Sequence, residues 1–195
     1  MRRRFALIGS IAATLATLIL FTYSNSISQQ SAKKADPTLI KRGEMLVTIG
    51  GCNDCHSPKV FTQMGPLPDS SRLLSGHPSS LKLPELPVNI IGPDKWGAVT
   101  NNDLTAWYGP WGVSFAANLT PDNITGIGAW TEDSFIKAMR SGKHLGAGRA
   151  ILPPMPWFNI GQLPNSDLKA IFAYLRSLKP IENEVPMPIP PTGKG

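Results

Sequence analysis

The stretch Cys52-Asn53-Asp54-Cys55-His56 follows two glycines and contains the only two cysteines in the 195-residue sequence. The spacing C-x-x-C-H is the attachment signature of a c-type haem. Cysteines three positions apart can reach the two vinyl groups of a haem, and the adjacent histidine turns beneath the iron. The motif therefore predicts one haem c bound covalently through Cys52 and Cys55, with His56 as an axial ligand of the iron. The other ring nitrogen of His56 should donate to a backbone carbonyl.

Three other uses of the cysteines compete with haem attachment. A thioredoxin-like C-x-x-C pair follows a strand and precedes a helix, whereas here a helix is predicted before Cys52 and Pro58 follows the motif. A zinc site needs four ligands in paired spacings, and adding His77 and His144 to the cysteines does not give that spacing. A disulfide across so short a loop is strained. Haem attachment is favoured over all three.

The second axial ligand is expected from the stretch 151–157, Ile-Leu-Pro-Pro-Met-Pro-Trp. Prolines on both sides of Met155 hold the backbone in extended conformations. A thioether presented this rigidly suits coordination to iron, and a haem with His and Met ligands is an electron-transfer arrangement. We therefore expect Met155 to be the second ligand. His77 and His144 are the rivals, and either would give a bis-histidine haem of lower potential.

The N-terminal sequence predicts export. Arginines at positions 2–4 precede an uncharged, largely apolar stretch at 5–23, which is typical of a signal peptide and approaches the length of a membrane span. Residues 1–30 are thus either a cleaved signal peptide or an N-terminal membrane anchor, and both place the rest of the chain in the bacterial periplasm. The remaining expected divisions are a linker at 31–35, one domain at 36–180, and an extended, mobile, Pro-rich tail at 181–195.

Helices joined by long loops are expected in the domain, because the chain contains 19 prolines and 18 glycines. Cap signals and apolar residues at helical spacing predict helices that start at Asp36-Pro37, at Thr131 and at Asn165-Ser166-Asp167. Residues 58–125 show no sustained period and predict an ordered loop, with at most a short hairpin or 3₁₀ turns.

The charge gives no sign of a nucleic-acid partner. The net charge is +6, but without the three N-terminal arginines 16 lysines and arginines face 13 acidic residues. No basic run is interleaved with aromatic residues, which is the pattern expected of a nucleic-acid surface.

Three further blocks resemble the cytochromes c that serve membrane-bound dehydrogenases: residues 115–122 (FAANLTPD), 125–130 (TGIGAW) and 152–157 (LPPMPW). A helix before the haem motif, a methionine on a late loop and a C-terminal helix are also similar to class I cytochromes c. The terminal helices of that family cross with a small residue against an aromatic one, which Gly43 and Tyr174 or Phe172 match. The resemblance implies an all-α cytochrome c fold around one haem. The chain departs from the multihaem subunits because it has a single C-x-x-C-H motif.

Together these features predict a periplasmic one-electron carrier rather than an enzyme, because two filled axial positions leave no place for a substrate. The expected partners are a dehydrogenase as electron donor and an oxidase or other acceptor, with membrane association through the N-terminal segment. Two alternatives stay open. One is a haem enzyme of the peroxidase kind, and the other is a cytochrome subunit that acts only within a larger dehydrogenase complex.

Overall fold

A computed structural model describes residues 36–86 and 89–191. The helices are α1 (Pro37–Ile49), α2 (Cys52–His56), α3 (Glu132–Ser141), α4 (Trp157–Ile160) and α5 (Asn165–Ser177), with a 3₁₀ turn at His144–Gly146. The strands are β1 (Lys59–Thr62), β2 (Gly65–Pro68), β3 (Val99–Thr100), β4 (Ala106–Gly109) and β5 (Gly112–Phe115).

The expected signal peptide or anchor at 1–30 and the linker at 31–35 lie outside the described residues. Across the described ranges, no helix is both long and apolar enough to cross a membrane.

The expectation of an all-α fold is wrong, because the loop-rich middle of the chain forms two antiparallel sheets. Strands β1 and β2 pair as a hairpin, and β3, β4 and β5 form a three-stranded sheet in sequence order. Prolines hide the first hairpin in the sequence: Pro66 and Pro68 lie in β2, which tolerates them because each strand of a two-stranded sheet is an edge strand. The fold is therefore mixed α and β.

The predicted starts of the first two long helices are confirmed. The Asp36 carboxylate accepts the N–H of Thr38 at 2.9 Å, with Pro37 in the first turn of α1. Thr131 and Ser134 cap α3 reciprocally, each hydroxyl accepting the backbone N–H of the other residue. These caps satisfy N–H groups that have no partner within the helix.

The predicted cap of α5 is wrong. The helix begins at Asn165 after Pro164, and no side chain caps it. Instead, Asn165 Oδ1 accepts from Arg140 at 2.8 Å, and the Asp167 carboxylate accepts two hydrogen bonds of 3.0 Å from Arg42. These polar side chains tie α5 to α3 and α1.

Helices α1 and α5 cross at Gly43, as the sequence predicts. A Cβ added to Gly43 would lie 1.9 Å from the Ala170 carbonyl oxygen and 2.8 Å from Tyr174 Cβ. Only a glycine permits this approach. The aromatic partner is thus Tyr174, while Phe172 packs against Phe135 with ring centroids 5.4 Å apart.

A hydrophobic cluster joins side chains of α1, α3 and α5 with two residues from loops, and we call it the core cluster. Its members are Val47, Leu74, Ile127, Phe135, Ala138, Met139, Leu168, Ile171, Phe172 and Leu175.

The described part of the C-terminal tail, residues 181–191, is extended, as predicted, and is hydrogen-bonded to the domain. Ile189 exchanges two backbone hydrogen bonds of 2.8 and 3.0 Å with Val113 on β5. Asn183 donates to the carbonyls of Ser75 and His77 at 2.7 and 2.8 Å. The tail therefore runs back across the domain and fastens the segment that follows the hairpin.

Candidate haem site

The haem motif forms the short helix α2 directly after α1. Gly50 ends α1 by donating to the Leu46 carbonyl, and Gly51 adopts the left-handed conformation with φ of 62°. The Gly51 carbonyl then accepts the N–H of Asp54 at 2.9 Å. Because left-handed backbone is nearly free of cost only for glycine, the paired glycines set the turn that places Cys52 at the start of α2.

The His56 ring is oriented by the main chain of a distant segment. Its side chain is buried, and Nδ1 lies 2.7 Å from the carbonyl oxygen of Ala117. A carbonyl can only accept, so Nδ1 carries the proton and Nε2 has a free lone pair. The predicted backbone-carbonyl partner of His56 is therefore present. Burial lowers the pKa of His56, although the Ala117 carbonyl opposes that shift, and a lower pKa favours the neutral ring that metal ligation requires.

The two cysteines are free thiols and are partly buried. Burial is the main cause that raises the pKa of both Cys52 and Cys55, and the negative charge of Asp54 raises them further. Cys52 packs against the core cluster. The thiols thus lie about one turn apart on one helix, and Cys52 lies against apolar side chains, which suits thioether attachment to a flat apolar cofactor.

The loop that carries Met155 is fastened at several points. Ser114 donates to the Pro153 carbonyl at 2.5 Å, and the N–H of Ile151 donates to the Gly142 carbonyl at 2.8 Å. A Cβ added to Gly142 would lie 2.4 Å from the Trp157 ring, so the indole covers that glycine. Contacts from Gly142, which directly follows α3, and from Ser114 on β5 thus hold the loop that the sequence predicts to be rigid.

Met155 is partly buried and packs against the core cluster that Cys52 also contacts. The late loop and the haem motif thus both contact this cluster although 99 positions separate Met155 from His56. Its role as an iron ligand stays a prediction.

The rival ligand His77 is held by contacts of its own. It is fully buried, and its N–H donates to the Ala116 carbonyl at 2.9 Å. That carbonyl neighbours the Ala117 carbonyl that accepts from His56 Nδ1, so one segment holds both histidines. Its own Nδ1 lies 2.8 Å from the Thr105 hydroxyl oxygen. Its Nε2 is buried and has no hydrogen-bond partner among the described residues, so His77 stays a rival to Met155.

The other rival, His144, is exposed in the 3₁₀ turn. Its ring stands edge-on to Trp130 with centroids 4.9 Å apart. Partial shielding of the ring from water, and then the charge of Arg149, lower the pKa of its imidazole. Within residues 36–86 and 89–191, no hydrogen bond orients a ring nitrogen of His144 as the Ala117 carbonyl orients His56.

Several residues that shape the site are not evident from the sequence. The Ala117 carbonyl lies in the FAANLTPD block, which stands out only through its resemblance to other cytochromes. The Ser57 hydroxyl donates to Asn53 Oδ1 and accepts the N–H of Leu74, both at 2.8 Å. The buried Lys59 ammonium contacts the end of α2. The contacts of Ala117 with His56 and of Leu74 with Ser57 span 61 and 17 positions, so no local pattern reveals them.

The donor set fits a haem. The imidazole of His56 is buried and hydrogen-bonded through Nδ1, the two thiols lie one turn apart on α2, and Cys52 and Met155 both pack against the core cluster. Exposed apolar side chains flank the motif, including Ile49 at 76% exposure, three residues before Cys52. By contrast, no group of three or more His, Cys, Asp or Glu side chains within residues 36–86 and 89–191 is placed to hold a metal ion, so the zinc alternative finds no support there.

Comparison with known proteins points to dehydrogenase subunits. No protein-family model matches the chain. It is 27% identical over 182 residues to the cytochrome c subunit of gluconate 2-dehydrogenase from Pantoea cypripedii, which covers 90% of this chain and 32% of that protein. It is also 27% identical over 164 residues to the cytochrome c subunit of a quinone alcohol dehydrogenase from Gluconobacter oxydans, covering 83% of this chain and 26% of the relative.

The chain is similar to the cytochrome c subunits of dehydrogenases. A shorter match of 33% identity over 78 residues links 40% of this chain to 16% of the cytochrome subunit of fructose dehydrogenase from Gluconobacter japonicus. The chain spans about a third or less of the length of these relatives. The resemblance to dehydrogenase-associated cytochromes is thus confirmed, while the monohaem class I assignment stays a prediction.

Proposed function

We propose that this chain carries one haem c on Cys52 and Cys55, ligated by His56 and Met155, and transfers single electrons. The observation that carries the proposal is the hydrogen bond from His56 Nδ1 to the Ala117 carbonyl at 2.7 Å. It fixes the tautomer and aims Nε2 away from the protein backbone, as the hydrogen-bond partners of metal-ligating histidines do.

The bound haem would supply one-electron redox chemistry, and the surrounding residues govern it. The Ala117 carbonyl holds the His56 ring in one orientation. The anchors on Gly142 and Ser114 hold Met155 in place. Because both ligand-bearing segments are fixed, little rearrangement accompanies a change of oxidation state. A His and Met ligand pair also favours a higher potential than two histidines would.

The partner and location follow from the relatives and from the N-terminal sequence. Two of the relatives are cytochrome c subunits of dehydrogenases, so the proposed electron donor is a dehydrogenase, and an oxidase or another redox protein is the acceptor. The basic and apolar pattern of residues 1–30 supports a periplasmic position, with the segment either cleaved or retained as an inner-membrane anchor.

Substituting the proposed ligand tests the coordination. Met155→Ala is expected to remove the weak long-wavelength sulfur-to-iron absorption band of the ferric protein and to lower its reduction potential, because a thioether ligand is lost. Met64→Ala is the matched control, since Met64 is 86% exposed on the β1–β2 hairpin. Persistence of the band in Met155→Ala, or its absence from the wild-type haem protein, contradicts the assignment.

The dehydrogenase similarity also favours a subunit that works only within a complex. Copurification of the native chain from membranes with a dehydrogenase supports that alternative over a freely diffusing carrier. Recovery of the chain as a separate protein that accepts electrons from the isolated dehydrogenase supports the carrier.

A further inference from the structure

Lys59, the first residue of β1, is buried beside the haem motif. Its side chain is only 9% exposed, although lysine is rarely buried without compensation. The ammonium donates to three backbone carbonyls, those of Ser57 at 2.5 Å, Asp103 at 3.1 Å and Asn53 at 3.3 Å. An ammonium has three protons, so this arrangement satisfies its charged form.

The acceptors show where this charge lies. Asn53 is inside α2 and Ser57 directly follows it, so the ammonium binds carbonyls at the end of the helix that carries His56. The third acceptor, Asp103, precedes β4. Lys59 therefore joins the haem motif to the sheet region and places a positive charge close to the proposed ligand.

We propose that Lys59 is a positioning residue that fixes the end of α2 and whose buried charge raises the reduction potential of the haem held there. This inference rests on the proposed function. Adding one electron to ferric haem removes one positive charge, so a nearby cation favours the ferrous state. No other group is oxidised or reduced in this step, because the electron comes from the donor protein and passes to the acceptor.

Asp103 allows a test of the direction in which a nearby charge changes the reduction potential. Its carboxylate accepts the backbone N–H of Lys59 at 3.3 Å, while its own carbonyl binds the ammonium. The negative charge of this carboxylate partly opposes that of Lys59. Asp103→Asn keeps an oxygen acceptor and the backbone carbonyl but removes the charge, so its effect on the potential should have the opposite sign to the loss of Lys59.

The test is a redox titration of the holoprotein, with Lys59→Met compared with Lys179→Met. Both variants lose one lysine charge, but Lys179 is exposed after α5. For Lys59→Met we expect the ferrous-to-ferric ratio at fixed ambient potential to fall about tenfold, a decrease of about 59 mV for a one-electron couple. Lys179→Met should leave the potential near the wild-type value. Lys59→Arg keeps the positive charge, so it should retain most of the wild-type potential.

Equal potentials in Lys59→Met and Lys179→Met overturn the inference. If Lys59→Met does not hold haem, Asp103→Asn decides: a raised potential supports the role of the buried charge, and an unchanged or lowered potential overturns it. A wild-type protein without covalent haem, or without the sulfur-to-iron band, would instead contradict the proposed function. The two failures are therefore distinguishable.

Discussion

His56 obtains its orientation from a residue 61 positions later in the chain, where the Ala117 carbonyl accepts its Nδ1 proton. The C-x-x-C-H spacing is enough to predict the three motif residues, because attachment and ligation use neighbouring side chains. The partner of His56 is predictable only as a type of group, a backbone carbonyl. Its position depends on how the chain returns to the motif, and no local pattern encodes that return.

Gly76 tests how closely that returning segment must pack. Its N–H donates to the His56 carbonyl at 2.8 Å, its φ is 81°, and an added Cβ would lie 2.6 Å from the Ala116 carbonyl oxygen. Gly76→Ala should lower the free energy of unfolding of the holoprotein by about 2–4 kcal/mol, through left-handed strain and displacement of the Ala117 segment.

Denaturant unfolding measures this change, and Gly97→Ala is the matched control. An added Cβ at Gly97 meets nothing within 4 Å, and its φ is not in the left-handed region. Equal stabilities of the Gly76→Ala and Gly97→Ala proteins would show that the packing behind His56 is not tight.

Among the elements, the crossing of α1 and α5 is predictable in detail and the sheets are not. Gly43 stands on the apolar face of an otherwise regular helix pattern, which signals a close approach to another helix. The strands are two to four residues long, too short for an alternating pattern to stand out. Pro66 and Pro68 further obscure β2. Because the sequence resembles an all-α family, it favours an all-α fold class over the mixed α and β class that the structure has.

The crossing predicts that Gly43→Ala is destabilising although alanine is the better helix former. Alanine should favour the helix interior by about 1 kcal/mol, but its Cβ would lie 1.9 Å from the Ala170 carbonyl oxygen. We expect a net loss of about 2–3 kcal/mol in the free energy of unfolding.

Lys41→Ala, on the exposed side of α1, is the control and should change stability by less than about 0.5 kcal/mol. A Gly43→Ala protein as stable as the wild type would mean that the helices are further apart than described.

Across the whole molecule, long-range contacts assemble a site whose parts the sequence shows separately. The C-terminal tail is an example. Its prolines predict an extended chain, but they do not predict the hydrogen bonds from Asn183 to the carbonyls of Ser75 and His77. The Met155 loop is predictable because prolines fix its backbone locally. Its placement against the same core cluster as Cys52 depends on Gly142 and Ser114, and neither residue signals that role in the sequence.

The central claim is that both axial positions of one haem are filled, which distinguishes an electron carrier from a haem enzyme. Carbon monoxide binding to the ferrous wild-type protein at neutral pH tests it most directly. We predict no rapid spectral change at carbon monoxide concentrations that saturate the Met155→Ala variant, because the Met155 thioether occupies the site only in the wild type. Rapid, stoichiometric binding by the wild-type protein would contradict the account.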